Sequence, residues 1–284
     1  MIKKIKHLLE YLFVKILIYF FYLIPYKLIK PIIYIFSFIL YTIGYRKEII
    51  RKNYMYIFNK NPSKRFYKIF YYILAKNIIE IILIYNKKEL IKNIYSIDIS
   101  YIEKYLKKNP IIITIHFNNW EIMGINIDIS KVVIYKKLSN PYTENLLKNI
   151  REKLYEIPIE MKNILNNLDI IKKYPTIFLI DQNLRTGSIY KFLNKKTLIS
   201  DFPLKLAKKQ KRDILYCVLI KENGQWKIKF KYIYYNEFKE KEIEKIFMEI
   251  LEFFSYFIYM KPTRWFGFTH KIWKNTKELQ PNLY

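Results

Sequence analysis

A chain of 284 residues is long enough to bury a full hydrophobic core, so one large domain, alone or with a membrane anchor, is the expected organisation. Its net charge of +27 is spread along the sequence among Ile, Tyr and Phe, and a field of that sign attracts anionic membranes, phosphates and acidic proteins. The sequence has no paired Cys/His spacing, heptad-linked basic region or aromatic RNA-binding signature, which argues against nucleic acid; its single cysteine, Cys217, excludes an intrachain disulfide, and three histidines without a cysteine cluster argue against zinc.

Residues 8–25 are mostly apolar and aromatic, and 28–44 continue in the same style after Pro25. No small-residue cleavage site follows, so the stretch reads as an uncleaved membrane anchor over 1–45 rather than a signal peptide. Lys3, Lys4 and Lys6 are consistent with a cytoplasmic N-terminus. Residues 46–284 read as one further domain. Its first part is helical: 45–58 has helical period, Asn61-Pro62-Ser63 breaks it, and 63–85 forms a longer helix carrying Glu80.

The stretch 111–124 reads Ile-Ile-Ile-Thr-Ile-His-Phe-Asn-Asn-Trp-Glu-Ile-Met-Gly. Its β-branched run is a buried strand, its polar turn ends the strand, and Glu121 falls in the first turn of a following helix, where free amides favour a carboxylate. Across such a corner His116 and Glu121 can meet, and a histidine held by a carboxylate is a general base. Further strands are expected at 132–135, 176–180 and 214–220, alternating with helices at 141–154, 161–173 and 201–209. Asn140 and Ser200 serve as caps and Pro141 as an opening residue. The turn at 222–225 returns 226–235 antiparallel, and 239–260 is helical. Cys217 falls in an apolar strand and reads as a core thiol in a reducing compartment. The alternation predicts an α/β fold: a mixed, mostly parallel sheet flanked by helices, with the hydrophobic helical segment before it.

His116-Phe117-Asn118-Asn119-Trp120-Glu121 resembles the His-Phe-Gly-Asn-Trp-Glu signature of the bacterial lipid A biosynthesis acyltransferases. Other blocks follow in that family's order. Arg51-Lys52-Asn53 and Glu80 match positions before the corner. Residues 133–141, including Lys136 and Asn140-Pro141, resemble a Tyr-Arg-Pro-Leu-x-Asn-Pro segment, and Arg151 matches an Arg in the next helix. Asp181-Gln182-Asn183, Gly187, Phe192 and Thr197 match a further block, and Trp265 with His270-Lys271-Ile272-Trp273-Lys274 resembles the terminal pattern. Asn118 and Asn194 stand where the family has Gly, and Asn is the residue that best tolerates the left-handed backbone such turns need. Lys136 stands where it has Arg, which keeps the charge and loses the bidentate fork.

The resemblance implies a glycerolipid-acyltransferase-like fold and transfer of a fatty acyl group from an acyl carrier protein or CoA thioester to a hydroxyl of a lipid A precursor. It places the protein as a monomer at the cytoplasmic face of a bacterial inner membrane, with no tightly bound cofactor. His116 would be the base. Glu121 would hold its imidazole, with Asp181 as the competing partner. Asn118, Asn119, Trp120, Lys136, Arg151 and Gln182 would contact substrate, and backbone amides near 118–120 would receive the oxyanion. Arg151 reads equally as a phosphate contact or an exposed helix arginine. His270, Trp265 and Trp273 read as packing or membrane-rim residues. The same fold could acylate another acceptor, such as a phosphatidylinositol mannoside or an amino-acid lipid. A basic membrane-binding relative without catalysis is the remaining alternative.

Overall fold

A computed structural model describes residues 2–153, 156–182, 187–239 and 241–274. Five helices come first: α1 (Ile2–Leu23), α2 (Ile29–Ile43), α3 (Lys47–Phe58), α4 (Lys64–Tyr95) and α5 (Ser100–Leu106). The α/β part runs β1 (Ile111–Thr114), α6 (Trp120–Asn126), β2 (Lys131–Tyr135), α7 (Pro141–Lys153), β3 (Glu156–Glu160), α8 (Leu168–Lys173) and β4 (Thr176–Leu179). It continues with β5 (Ser188–Phe192), β6 (Lys195–Ile199), α9 (Phe202–Gln210), β7 (Ile214–Glu222), β8 (Gln225–Ile233), α10 (Tyr235–Phe238) and α11 (Ile243–Met260). Two 3-10 turns, Pro262–Arg264 and Phe266–Thr269, follow.

Six strands form one sheet in the order β3-β2-β4-β1-β7-β8. All neighbours are parallel except β7 and β8. Of the five strands expected from the sequence, β8 is the antiparallel edge and the other four are the central ones. Because both faces of the sheet are covered, these strands are continuous apolar runs rather than alternating ones. Ile111, Ile113, Tyr216 and Val218 enter a core built with α3, the first half of α4, α9 and α11. Ile112, Leu215, Cys217 and Leu219 enter another, built with α1, α2, the rest of α4, α5 and α6. At the amino edge, Arg212 fastens the sheet by donating to the carbonyls of Asn109, Ile171, Pro110 and Tyr174 at 2.6–3.1 Å. Burial pushes its guanidinium down to about 10.

Local expectations hold at several turns. Asn140 Oδ1 accepts from the amides of Tyr142 and Thr143, and the Ser200 hydroxyl accepts from Phe202 N. Asn223 and Gly224, with φ of 49° and 82°, close the β7–β8 hairpin. Asn118 and Asn194 are both left-handed, at 51° and 59°. Four features differ from expectation. Edge strand β3 contains Pro158, a residue that argues against a strand except where an edge leaves the missing donor unneeded. The β5–β6 hairpin and α5 are additional. Helix α4 runs on to Tyr95 through a non-helical break at Lys87, whose φ is −137°.

Helices α1 and α2 lie against the body. Asn140 Nδ2 donates to His7 O and Glu10 Oε2, Asn86 Nδ2 to Ile18 O, and Lys87 Nζ to Ile24 O. Ile18, Phe21, Ile29 and Ile33 face inward, whereas Phe13, Leu23, Phe38 and Ile43 are 62–76 % exposed. Residues Tyr26–Ile43 are long and apolar enough to be a candidate membrane anchor. Helix α4 passes the same test, but it is half buried and serves as the core helix.

Candidate active site

Strands β1 and β4 are parallel neighbours, with Thr114 opposite Leu179. Two residues further along each chain, that register sets His116 beside Asp181, although 65 residues separate them. Asp181 is fully buried. Its Oδ1 lies 2.7 Å from His116 Nδ1, and its Oδ2 accepts from the His116 amide at 2.9 Å and the Trp265 indole at 2.8 Å. Burial alone would raise this carboxyl, but the His116 ring, the indole and the amide together outweigh it and hold it below the usual carboxylate range. An ionised carboxylate only accepts, so Nδ1 presents a proton to it and Nε2 is the ring nitrogen turned away from Asp181. Gln182 Nε2 lies 3.1 Å from that Nε2.

The chain's end holds this corner in place. Phe117 and Trp265 form an antiparallel bridge, Phe266 N donates to His116 O, and Asn118 N donates to Arg264 O. His116 is only 7 % exposed, with Trp120 edge-on at 4.6 Å and the His270 ring at 5.5 Å. Burial, reinforced by His116, pushes His270 down to about 4, so it is neutral at neutral pH.

His116 opens on a cavity of about 500 Å³, lined also by Trp120, Glu121, Lys136, Lys137, Arg151 and Gln182. Arg151 lies 4.7 Å over the Tyr135 ring. Its Nη1 is buried without a hydrogen-bond partner. An apolar cleft of about 340 Å³, walled by Phe178, Phe202 and Leu165, meets this cavity at Met161, Leu179 and Gln182.

The expected site residues therefore divide. His116, Trp120, Glu121, Lys136, Arg151 and Gln182 share one cavity, with Asp181 directly behind the base. Glu121 is not the carboxylate on the imidazole: it sits in the first turn of α6 and its Oε1 accepts from the Trp120 indole at 3.2 Å. Asn118 and Asn119 are not free for substrate, because the corner needs their side chains. Asn118 Nδ2 satisfies the buried Leu219 carbonyl; Asn119 caps α6 at Ile122 N and donates to Glu80 Oε2. The Asn118 amide is likewise taken, by Arg264 O. Asn183 lies outside the described residues. Trp265 and Trp273 are fully buried, the latter bonded to Thr197 Oγ1.

The resemblance picks out Asn53 and Glu80 without giving them a role, and the structure shows that role to be support behind the corner. Buried Glu80 receives Lys76 at 2.7 Å and the Tyr95 hydroxyl at 2.7 Å. Asn53 Nδ2 donates to the carbonyls of Phe268 and His270. These residues are far apart in sequence, and apart from the family match they would pass as helix surface residues. Among the described residues, no three His, Cys, Asp or Glu side chains gather as a metal site.

The sequence profile of the bacterial lipid A biosynthesis acyltransferases matches residues 2–275. No curated protein matches the sequence.

Proposed function

The chain belongs to the bacterial lipid A biosynthesis acyltransferase family, and from that premise we propose that it moves a fatty acyl group from an acyl carrier protein or CoA thioester to a hydroxyl of a lipid A precursor, with His116 as general base. What carries the reading is the His116 imidazole, held by Asp181 at Nδ1 and lining a cavity with cationic walls. The acceptor hydroxyl takes the place of the Gln182 amide at Nε2. Nε2 removes its proton as the oxygen bonds to the thioester carbonyl carbon, and Asp181 stabilises the imidazolium that forms. Collapse of the tetrahedral intermediate breaks the C–S bond, and the leaving thiolate takes the proton back. No covalent acyl-enzyme is required.

The unpartnered Arg151 Nη1, with Lys136 and Lys137, suits an acceptor phosphate. The adjoining apolar cleft suits the acyl chain. With the Asn118 amide engaged by Arg264 O, the first-turn amides of Trp120 and Glu121 are the backbone donors assigned to the oxyanion. A donor on acyl carrier protein or CoA supports a location at the cytoplasmic face of the inner membrane. The corner does not encode the acceptor, so another membrane lipid hydroxyl is compatible with it, but an intact His–Asp pair argues against a non-catalytic relative.

The test is incubation of detergent-extracted protein with acyl carrier protein thioester and a lipid A precursor, following product mass. The unaltered protein is expected to acylate the precursor, and His116→Ala to lose roughly 10²–10⁴-fold in rate. Equal product from both would remove His116 as the base.

A further inference from the structure

A further cavity, of about 320 Å³, adjoins the catalytic corner between the carboxyl end of β7 and the last turn of α11. Phe117 and Asn118, the residues directly after His116, line it, so one turn of backbone separates it from the imidazole. Its cations are Arg264, Lys221 and Lys261.

Arg264 is the unusual one. Its carbonyl receives the Asn118 amide at 2.8 Å, which ties it to the corner. Its guanidinium is half-buried and lowered by burial, with the Tyr95 and Tyr72 phenols as the neighbouring titratable groups. Yet among the described residues nothing accepts a hydrogen bond from it. Arg212, also withdrawn from solvent, spends its donors on a ring of carbonyls. The donors of Arg264 are spent on no acceptor among the described residues and are left to solvent, so the half-buried guanidinium is available to an anion entering the cavity. Lys221 and Lys261 are exposed and, among the described residues, have no carboxylate partner. Glu222 on the rim is already paired with Lys229 at 3.0 Å. The remaining wall is apolar, from Tyr256, Phe257 and Met260. Cations on an apolar wall fit the phosphate end of an amphiphile better than a free anion.

We propose that this cavity is a second phosphate-ester site, with Arg264 gripping the phosphate oxygens in its fork and the two lysines supplying charge. Arg151 and Arg264 then hold two phosphates in separate cavities that adjoin the corner, one lined by His116 and the other by Phe117 and Asn118. The two belong either to one acceptor carrying both or to an acceptor and a donor carrying one each. The existence of an anion site rests on Arg264; its assignment to a phosphate ester rests on the acyltransfer reading.

Calorimetric titration of the full chain in detergent tests this, since it requires no turnover. The probes are a bisphosphorylated glucosamine-disaccharide lipid, its monophosphorylated forms, an acyl-CoA, and the matching phosphate-free acyl N-acetylcysteamine thioester. Arg264→Gln is expected to weaken one phosphate-bearing probe by roughly 10–100-fold. Removing the relevant phosphate should cost the unaltered protein the same factor and cost Arg264→Gln nothing further. Loss confined to the bisphosphorylated lipid places the acceptor there; loss confined to acyl-CoA places the donor there. The exposed double variant K221Q/K261Q should weaken the same probe and leaves folding untouched, as a melting curve will verify. Unchanged binding in Arg264→Gln and the double variant, with Arg151→Gln still weakening the lipid, would overturn the second site and leave the acyltransfer reading standing. Unchanged binding in all three would remove both. An equal loss on phosphate-free probes would reduce Arg264 to a structural role and also overturn the proposal.

Discussion

Asp181 receives three hydrogen bonds, from the His116 amide, the His116 ring and the Trp265 indole. An acceptor so occupied stays ionised and fixes which imidazole nitrogen presents its proton to it. Asp181→Asn presents a donor where the ring needs an acceptor, and it is expected to lower kcat roughly 10²–10⁴-fold with the fold retained. Glu121→Gln should lose clearly less, because Glu121 touches the Trp120 indole rather than the ring. Steady-state rates separate the two, and equal losses would return the orienting role to Glu121. His270 is the acid-sensitive group of the site, facing His116, Asp181 and Arg46. Its folded value near 4 lies below its ordinary 6.5, so between those values the unfolded chain binds a proton that the folded protein refuses. Stability therefore falls as pH drops through that window, by about 3 kcal/mol in all. Denaturant melts of His270→Asn between these pH values should show a flatter profile; an unchanged slope would mean that His270 titrates normally. The depressed Asp181 carboxyl acts in the same direction, but only below the ordinary carboxylate range.

At the scale of elements, the residues after α11 act as a strap across the catalytic corner. They bridge Phe117, bond the carbonyl of His116 and place Trp265 behind Asp181. Arg46 holds the strap at Thr269 O, and Asn53 holds it at Phe268 O and His270 O. Gly267 permits this packing: a Cβ there would sit 2.1 Å from Trp265 Cζ2. Gly267→Ala is expected to drive the indole off Asp181, losing about 1.5–3 kcal/mol of stability for a charged hydrogen bond and lowering kcat without altering any cavity residue. Indole fluorescence and a denaturant melt would register both. An alanine variant indistinguishable from the parent would show that the strap yields without cost.

Over the whole molecule, α1 and α2 form a platform whose inner face packs on α4 and whose outer face is apolar. At 15 residues, α2 is about 22 Å long, short of the roughly 30 Å hydrocarbon core. Both of its ends are tied back: α1 is bonded to the Asn140 and Asn86 side chains, and α3 packs under the strap. A contiguous exposed apolar face with basic residues at its borders suits a helix pair lying in the membrane surface. Single cysteines at Phe13 and Phe38 are therefore expected to carry probes quenched at shallow depth by brominated lipids, with Cys217 silent because it is buried. A Phe38 probe at the bilayer centre, with residues 25 and 45 on opposite sides, would make α2 a span.

The sequence alone determined what short-range physics controls. The short β-branched run 111–115, ended by a polar turn, read as a strand buried on both faces, Asn140-Pro141 read as a helix opening, and asparagine where a left-handed turn is needed kept the corner foldable. The ordered motif blocks determined the family and named His116. Tertiary structure decided what depends on register and long-range contact. The partner of His116 is set by strands 65 residues apart lying parallel with Thr114 opposite Leu179, a relation that spacing along the chain does not express. Asn118 and Asn119 became structural because their neighbours, Leu219 and Glu80, are brought by other elements. Arg212 and Arg264 are the same residue type in the sequence, and only the fold surrounds one with carbonyls and leaves the other facing a cavity without an acceptor.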